Sequence, residues 1–581
     1  MNDFRRSILW VIFGFSMILL WDQWQVYHGR PATFFPSAPK EASAQASNAP
    51  ANSASQQSAV PTATTASTGA VPNGNANATN GQVPAGNAGA ATASPAESWI
   101  VVTTDVLKLS FDPVGGSLVK AELLTHRDGN DASKHIVLLN DTPQHVYVAQ
   151  SGLISANTAN ALPNHKSIMR FEGEKTLSTG KNEIQFSFVS ENQGGMELTK
   201  VYTIKRGQYL IDIQHRLKNT GAQPQQAQVY VQLVRDNSKP AGESSFYSTF
   251  TGPAIYSEQK KYQKVEFDQI KDDKASFEKS STAGYVAMVQ HYFSSAWLIQ
   301  GQQQRDFFAR KLDGNLYAVG MIVKPAEVAP GQSVEQQTQL YVGPQEEKKL
   351  EAIYPGLELV KDYGWLTILA KPLFWLLDKL YNLVGNWGWA IVLLVVVIKA
   401  VFYWLNAKAY RSMAKMKAIN PRVMEMRERY KDSPQQMQME MMKIYREEKV
   451  NPLGGCLPIA IQIPVFIALY WVLLSTVEMR DAPWLYITDL AKPDTLFGVL
   501  PWVNLPLGPL PILMTLSSLL QTWLNPTPPD PMQAKLMWIM PLMFGIMFFF
   551  FPAGLVLYWL TNNVLSIAQQ WLINKSMGVT Q

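Results

Sequence analysis

Five apolar stretches in the last third of the chain restrict what this sequence can fold into. They are residues 386–405, 457–476, 507–524, 536–551 and 554–573. Each is close to the ~20 residues that an α-helix needs to cross a bilayer, and the fourth is the shortest. Lipid offers no partner to backbone N–H and C=O groups, so segments of this kind cross as helices. The sequence therefore predicts a multi-spanning α-helical membrane region within residues 386–581.

A further apolar run lies near the N-terminus. Residues 8–21 follow a pair of arginines and lead into a cluster of Trp and Tyr residues. Such aromatic residues settle at a membrane interface, and no small-x-small cleavage pattern follows the run. We therefore predict a signal-anchor span within residues 1–30, which gives six spans in all. A cleaved signal peptide is the alternative.

The charges of the loops predict how these spans are oriented. Residues 406–455 carry eleven Lys and Arg against six Asp and Glu, whereas residues 477–506 carry two against four. Loops rich in Lys and Arg stay in the cytoplasm. The first loop is therefore predicted to be cytoplasmic and the second external, which places both termini in the cytoplasm.

Composition divides the chain between the first span and the others. Residues 31–98 are mostly Ala, Ser, Thr, Asn, Gln, Gly and Pro, which predicts a disordered tether. Residues 99–345 contain alternating, β-branched runs such as 181–188 and 229–234, which predicts a large antiparallel β-sandwich outside the membrane. Residues 365–385 mix Lys and Asp with large apolar side chains, as is typical of an amphipathic helix at the membrane interface.

The residue types that carry most enzyme and metal chemistry are sparse or scattered. Cys456 is the single cysteine, which excludes an intramolecular disulfide and a cysteine-based zinc site. The seven histidines form no HxH or HxxxH pair. No catalytic residue, cofactor or metal is therefore predicted. A binding or scaffolding role for the β domain is favoured over a sugar-binding or hydrolytic one.

Lys399 is the one formal charge inside the five C-terminal apolar stretches. A charge at the centre of a membrane helix costs about 2.5–3.5 kcal/mol on insertion scales, and these stretches contain no acidic partner. Two interpretations are open. The side chain lies in a water-filled cavity that suits polar or acidic guests, or it snorkels toward Asn406, ~10 Å away along a straight helix. The cavity is favoured by polar residues in the other stretches, namely Gln462, Gln521, Asn562, Asn563 and Gln569.

The predicted cytoplasmic loop, residues 406–450, has helical patterns at 408–430 and 435–449 that are separated near Pro434, which predicts a helical hairpin. Methionine suits surfaces that accept varied apolar partners. The hairpin contains Met413, Met416, Met424, Met426, Met437, Met439, Met441 and Met442. We hypothesise that it receives a client protein. The alternative is that the methionines only pack the two helices together, and the basic residues suit anionic lipid headgroups equally well.

Several motifs, in one order along the chain, resemble a single protein family. They are VGNWG at 384–388, SMAKM at 412–416, EKVNPLGGC at 448–456, DPMQ at 530–533 and FPAGLVLY at 551–558, with GYVAM at 284–288 in the β region. The chain resembles the YidC/oxidase-assembly/Albino insertase family in its long form from diderm bacteria.

This resemblance implies a membrane protein insertase and chaperone of the cell inner membrane, with the β-sandwich in the periplasm. Such a protein inserts, folds and helps to assemble inner-membrane proteins, independently or together with the SecYEG translocon and SecDF. The implied partners are nascent inner-membrane proteins and lipids. Ribosome contact is expected to be weak because the sequence ends with little basic tail, and a net charge of +5 over 581 residues is too dilute for nucleic-acid recognition.

The resemblance also implies a hydrophilic groove open to cytoplasm and lipid. Lys399 stands where the family usually has arginine, which keeps the charge but loses the planar fork for bidentate hydrogen bonds. Trp559 stands where tyrosine is common. The predicted groove residues are Lys399, Gln462, Ile463, Phe466, Gln521, Tyr558 and Trp559, beside Pro464, and the predicted hairpin residues are Met413, Met416, Met437 and Met441.

A polytopic solute or ion transporter with a periplasmic binding domain is the alternative function. Such transporters normally show paired intramembrane charges or an internal repeat, and neither is evident in the sequence. An envelope enzyme would instead have its chemistry in the β domain, where the carboxylates have no spacing that indicates acid–base catalysis.

Overall fold

The computed structural model describes residues 99–129, 131, 133–155, 162–240, 249–323, 326–430, 433–448, 457–502, 505–525 and 531–576. The predicted signal-anchor span and the predicted tether lie outside these residues. The described residues divide into two compact units, one within residues 99–360 and one within residues 361–576.

The first unit is a sandwich of two β-sheets, accompanied by the short helices α1 (Phe267–Lys271) and α2 (Glu347–Ile353). One sheet contains β1 (Ile100–Thr103), β2 (Leu107–Asp112), β3 (Ser117–Arg127), β4 (His135–Asp141), β5 (Val146–Ser155), β10 (Gln225–Asp236), β13 (Ser280–Ser281), β16 (Arg305–Lys311), β17 (Leu316–Val323) and β18 (Ala326–Val328). The other contains β6 (Met169–Gly173), β7 (Glu183–Ser190), β8 (Met196–Lys205), β9 (Leu210–Asn219), β11 (Gly252–Ser257), β12 (Lys261–Lys264), β14 (Gly284–Val289), β15 (Phe293–Leu298) and β19 (Ser333–Pro344).

All pairings between these strands are antiparallel, which confirms the predicted antiparallel β-sandwich. The strand predicted at 181–188 corresponds to β7, and the strand predicted at 229–234 lies within β10. The physical reason is visible in β8, where buried and partly exposed side chains alternate. This period of two places one side of the strand against the opposite sheet.

A polar seam lies between the two sheets. Lys200 occupies an inward position of β8, and its Nζ donates to the carbonyl oxygens of Gly115 and Ser151, both at 2.7 Å. His215 Nε2 hydrogen bonds to Ser151 Oγ at 2.9 Å. Burial lowers the pKa of Lys200 to about 7, and burial followed by the charge of Lys200 lowers the pKa of His215 to about 3. His215 is therefore neutral at neutral pH.

The second unit is helical, which confirms the predicted C-terminal helical region. It contains α3 (Thr367–Val384), α4 (Trp387–Val401), α5 (Tyr403–Arg429), α6 (Pro434–Glu447), α7 (Leu457–Ser475), α8 (Pro509–Leu524), α9 (Pro531–Phe548) and α10 (Ala553–Ser576), with the short strands β20 (Val499–Leu500) and β21 (Leu505–Pro506) between α7 and α8. Its apolar core includes Leu394 from α4, Val472 from α7 and Val556 from α10, each almost fully buried.

Within the described part of the chain, no helix taken alone has both the length and the apolar character needed to cross a membrane. The pair α4 and α5 meets both conditions together, but it bends by 69° between its members.

The prediction of one helix across 386–405 is wrong. The helix α4 ends at Val401, and Phe402, at φ −90° and ψ 9°, separates it from α5. The sequence holds no Pro or Gly at this point, so the bend has no local sequence signal. The first helix of the predicted hairpin consequently begins at Tyr403 instead of residue 408.

Candidate functional site

Lys399 lies in the last turn of α4, beside the bend at Phe402. Asn386 caps the start of this helix: its side-chain oxygen accepts a hydrogen bond from the Trp389 N–H at 3.2 Å. Because the chain turns at Phe402, the path from Lys399 to Asn406 along one straight helix does not exist. The estimated distance from Lys399 to Asn406, on which the snorkelling alternative depended, is therefore wrong.

The ammonium group of Lys399 is buried and bonds to a neutral hydroxyl. Only 9% of the residue is exposed, and Nζ donates to Ser566 Oγ of α10 at 2.6 Å. Ser566 Oγ in turn donates to the carbonyl oxygen of Asn562 at 2.7 Å. Across the described ranges, no carboxylate lies within ion-pair distance of Lys399. Among the described residues, the charge of Lys399 therefore has no counter-charge.

A cavity of about 200 Å³ borders this charge. It lies between α4, the start of α5 and α10, and its walls are Lys399, Ala400, Tyr403, Leu565, Gln569 and Leu572. Gln569 Nε2 donates to the carbonyl oxygen of Tyr403 at 3.3 Å, which fixes one wall. The lining combines the polar residues Lys399 and Gln569 with the ring of Tyr403 and aliphatic side chains. It is large enough for several water molecules or a small polar group.

A seam between α7 and α10 continues from this cavity. Gln462 Nε2 donates to Asn562 Oδ1 at 3.1 Å. Farther along the same helices, the ring of Phe466 lies 4.6 Å from that of Trp559 and 6.0 Å from that of Tyr558. Along one side of α10, the aromatic residues Tyr558 and Trp559 are therefore followed by the amide of Asn562 and then by the Ser566 hydroxyl that binds Lys399.

The structure thus brings together most of the predicted groove residues. Gln462, Phe466, Tyr558 and Trp559 lie along the α7–α10 seam, and Ile463 is half exposed beside it. In the described part of the chain, no hydrogen bond joins Gln521 to this group, although the residue is partly buried.

Sequence reasoning missed the serines of the site. Ser566 holds Lys399, and Ser517 and Ser518 of α8 accept hydrogen bonds from Asn563 Nδ2 at 3.0 and 2.8 Å. Serine in an apolar helix ordinarily bonds back to its own backbone, so it gives little warning of a contact between helices. Ser566 does so as well, through the carbonyl of Asn562.

The helical hairpin of α5 and α6 has a small apolar core. Val423, Met426 and Ile444 are buried there, and Met437 and Met441 pack against them. These two predicted client-binding residues therefore also stabilise the hairpin. Met413 and Met416 are partly buried outside this core.

Other methionines of the hairpin face outward. Met424 is 52% exposed, Met439 65% and Met442 59%. Arg422 spans the two helices and pairs with Glu447 and Glu448, both at 3.0 Å. These exposed ion pairs contribute little to stability, so the apolar core holds the hairpin together.

Comparison with known proteins identifies the family. The family model described as YidC periplasmic domain matches residues 99–376, and the one described as 60Kd inner membrane protein matches residues 379–580. The membrane protein insertase YidC of Janthinobacterium sp. (strain Marseille) is 51% identical over 581 residues, with 99% of this chain and 100% of the relative covered. The membrane protein insertase YidC of Cupriavidus pinatubonensis is 50% identical, with 99% and 98% covered.

Among solved structures, an active YidC insertase with its first transmembrane domain resolved is 18% identical, has a TM-score of 0.36, and covers 81% of this chain and 92% of its own. The two family models together span nearly all of the described residues and join a periplasmic domain to an inner membrane protein. From its full-length similarity to these curated relatives, the chain belongs to the YidC family of inner-membrane insertases.

Proposed function

We propose that this protein inserts membrane proteins into the inner membrane and assists their folding, and that the region around Lys399 receives the polar or acidic flank of each client. The observation that carries this proposal is a buried ammonium group that bonds to a neutral hydroxyl and borders a cavity. A buried charge without a counter-charge is costly. Water or an acidic guest in the cavity lowers that cost, so the site favours such guests.

The apolar part of the client leaves by another route. The seam of Phe466, Tyr558 and Trp559 offers aromatic surfaces about two helical turns along α10 from Ser566, which binds the charge. A client whose flank lies near Lys399 can place its apolar stretch along this seam and pass between α7 and α10 into lipid. The polar flank thereby crosses a shorter part of the hydrocarbon core. Insertion by this route needs no nucleotide hydrolysis.

The arrangement in the membrane follows from the charges of the loops. We propose six spans with both termini in the cytoplasm, an N-terminal signal anchor within residues 1–30, and a tethered β-sandwich in the periplasm. The family resemblance further supports action with the SecYEG translocon and SecDF, as well as alone. Lipids and nascent inner-membrane proteins are the other proposed partners.

Substitution of Lys399 tests the proposed function. Cells depleted of their native insertase would express Lys399→Arg, Lys399→Glu or Lys399→Leu, and protease accessibility would report insertion of a small single-span client with an acidic flank. We expect Arg to retain most insertion, because it keeps the charge. Glu and Leu should lower insertion roughly fivefold at equal protein levels, because the acidic flank loses its electrostatic partner.

The matched control is Lys408→Leu, which removes an exposed lysine that lies over the ring of Trp404 at 5.3 Å. Insertion by this variant should match that of the unaltered protein. If Lys399→Leu inserted the client as well as the unaltered protein does, the charge would have no part in insertion.

The helical hairpin of α5 and α6 allows a second test, of the proposal that it receives client proteins. Replacing Met424, Met439 and Met442 together by Gln keeps good helix formers and leaves the buried core of the hairpin unchanged. We expect photo-crosslinking of a nascent client to the hairpin to fall about threefold, because these flexible side chains supply the exposed apolar surface. Ala in place of the exposed residues Gln435, Gln436 and Gln438 is the control. Undiminished crosslinking of the triple Gln variant would show that the methionines do not receive clients.

A further inference from the structure

A loop between α7 and α8 exposes several large apolar side chains. We call this loop the apolar hairpin; its described residues are 495–502 and 505–508, and it contains β20 and β21. The exposed fraction is 89% for Trp502, 63% for Phe497, 54% for Leu496, 48% for Val499 and 41% for Leu500. Neither the proposed groove nor the proposed client path uses these residues.

The apolar hairpin exposes apolar side chains on both of its faces. Val499 pairs with Pro506 and Leu500 with Leu505. Next to them, the Phe497 N–H donates to the Leu507 carbonyl at 2.9 Å. Because successive side chains of a strand point to opposite faces, those of residues 499 and 500 point in opposite directions. A flat protein partner would cover one face, whereas a surrounding lipid layer covers both.

The base of the hairpin is fixed to the start of α8. Asp494 is buried, and its carboxylate accepts hydrogen bonds from the Leu510 N–H at 3.0 Å, the Tyr486 hydroxyl at 2.8 Å and the Leu496 N–H at 3.3 Å. Gly508 allows this approach, since a Cβ there would lie 2.1 Å from the Asp494 side chain. The apolar hairpin is therefore held at the N-terminal end of α8.

The exposed apolar surface continues from the hairpin along α8. Leu513 is 50% exposed, Leu516 56% and Trp523 52%. Residues 495–524 of the sequence contain no Asp, Glu, Lys or Arg. A contiguous, uncharged apolar surface on a helix of an inner-membrane protein is covered by lipid, and the hairpin extends that surface.

We propose that the apolar hairpin inserts into the membrane interface beside the N-terminal end of α8, with Phe497 and Trp502 as its lipid anchors. The interface suits it better than the hydrocarbon core, because a two-stranded hairpin has open edges whose backbone groups need water or headgroups as partners. Tryptophan is also enriched at headgroup level. The hairpin then fixes the height of α8 in the bilayer.

A fluorescent probe at position 502 tests this directly. The single native cysteine would be removed by Cys456→Ser, and Trp502→Cys would be labelled with the environment-sensitive dye NBD in the full-length protein. The protein would be reconstituted into phosphatidylethanolamine–phosphatidylglycerol vesicles. Lipids with a nitroxide near the top of the acyl chain should quench the probe by roughly half or more, and aqueous iodide should quench it little.

Thr488→Cys in the same background is the matched control, because Thr488 is an exposed polar residue between α7 and α8 that lies outside the apolar hairpin. Its probe should respond to iodide and hardly to the nitroxide lipids. Client insertion by both labelled proteins reports that they are folded. Equal iodide quenching at positions 502 and 488 would overturn the proposal. Protection of position 502 from both quenchers would overturn it as well, by indicating that a second copy of the chain covers the hairpin.

Discussion

A reversible covalent link between positions 462 and 562 is expected to reduce insertion of a single-span client to less than about a tenth, and cleavage of the link is expected to restore insertion. The link would join α7 to α10 at the point where Gln462 Nε2 now donates to Asn562 Oδ1 at 3.1 Å. If clients leave between these two helices, the helices must separate there. A covalent bond prevents this, whereas a hydrogen bond of about 1 kcal/mol does not.

The two sides of α10 are held differently. On the side of α8, Asn563 donates to Ser517 and Ser518, and Gln570 donates to Leu524 O and Asn525 Oδ1 at 3.2 and 3.1 Å. On the side of α7, the amide pair of Gln462 and Asn562 joins the helices near the aromatic cluster. Aromatic contacts can be replaced by contacts with an apolar client, whereas polar groups that lose a hydrogen bond in lipid are left unsatisfied. Opening toward α8 would break the four hydrogen bonds that Asn563 and Gln570 donate, which costs more than breaking the single bond between Gln462 and Asn562. This difference favours opening between α7 and α10.

The experiment uses Gln462→Cys with Asn562→Cys in a Cys456→Ser background, and a short bis-methanethiosulfonate linker that a reductant cleaves. Before linking, the double variant should insert clients nearly as well as the unaltered protein. The control pair, Ser517→Cys with Asn563→Cys, links α8 to α10 and should leave insertion largely unchanged. Full insertion by the 462–562 linked protein would exclude the proposed exit between α7 and α10.

Local patterns predicted the elements of the fold better than their connections. The alternation of β7 and the apolar length of α7 and α10 are properties of neighbouring residues, and they predicted these elements nearly to their ends. The bend at Phe402 has no such signal, because the stretch from 386 to 405 is apolar apart from Asn386 and Lys399 and contains neither Pro nor Gly near the bend. The helices on both sides of the bend contact α10, which is distant in sequence.

The candidate site was predicted only in part, because some of its features are local in sequence and others depend on contacts between distant residues. A lone charge in an apolar stretch identified Lys399, because its cost is local to its own helix. Its partner, Ser566, lies 167 residues away along the chain and has a residue type that is common in apolar helices. The inward position of Lys200, between the two sheets of the sandwich, could have been recognised from the alternation of β8. Its neighbours on that side of the strand are Met196, Leu198, Tyr202 and Ile204.

Acid is expected to destabilise the β-sandwich, because two buried histidines are neutral in the folded state. Burial, followed by the charge of Lys200, lowers the pKa of both His165 and His215 to about 3, and 6.5 is the ordinary value. His165 hydrogen bonds to the Tyr230 hydroxyl, and His215 to Ser151 Oγ at 2.9 Å. Between these pKa values the unfolded chain binds more protons than the folded one. The destabilisation by these two histidines is therefore absent above about pH 6.5 and grows as the pH drops toward 3.

At about pH 4.5 each histidine should lower the free energy of unfolding by about 3 kcal/mol, which corresponds to a loss of about a hundredfold in hydrogen-exchange protection. Mass spectrometry of the full-length protein would follow the amides of β8 and β9 after correction for intrinsic exchange. His165→Asn and His215→Gln keep a polar group near each hydrogen-bond partner but cannot be protonated in this range, so they should flatten the pH profile. His135→Gln, at an exposed position of β4, should leave the profile unchanged. A pH profile that His165→Asn and His215→Gln do not alter would mean that acid destabilises the sandwich through other titrating groups.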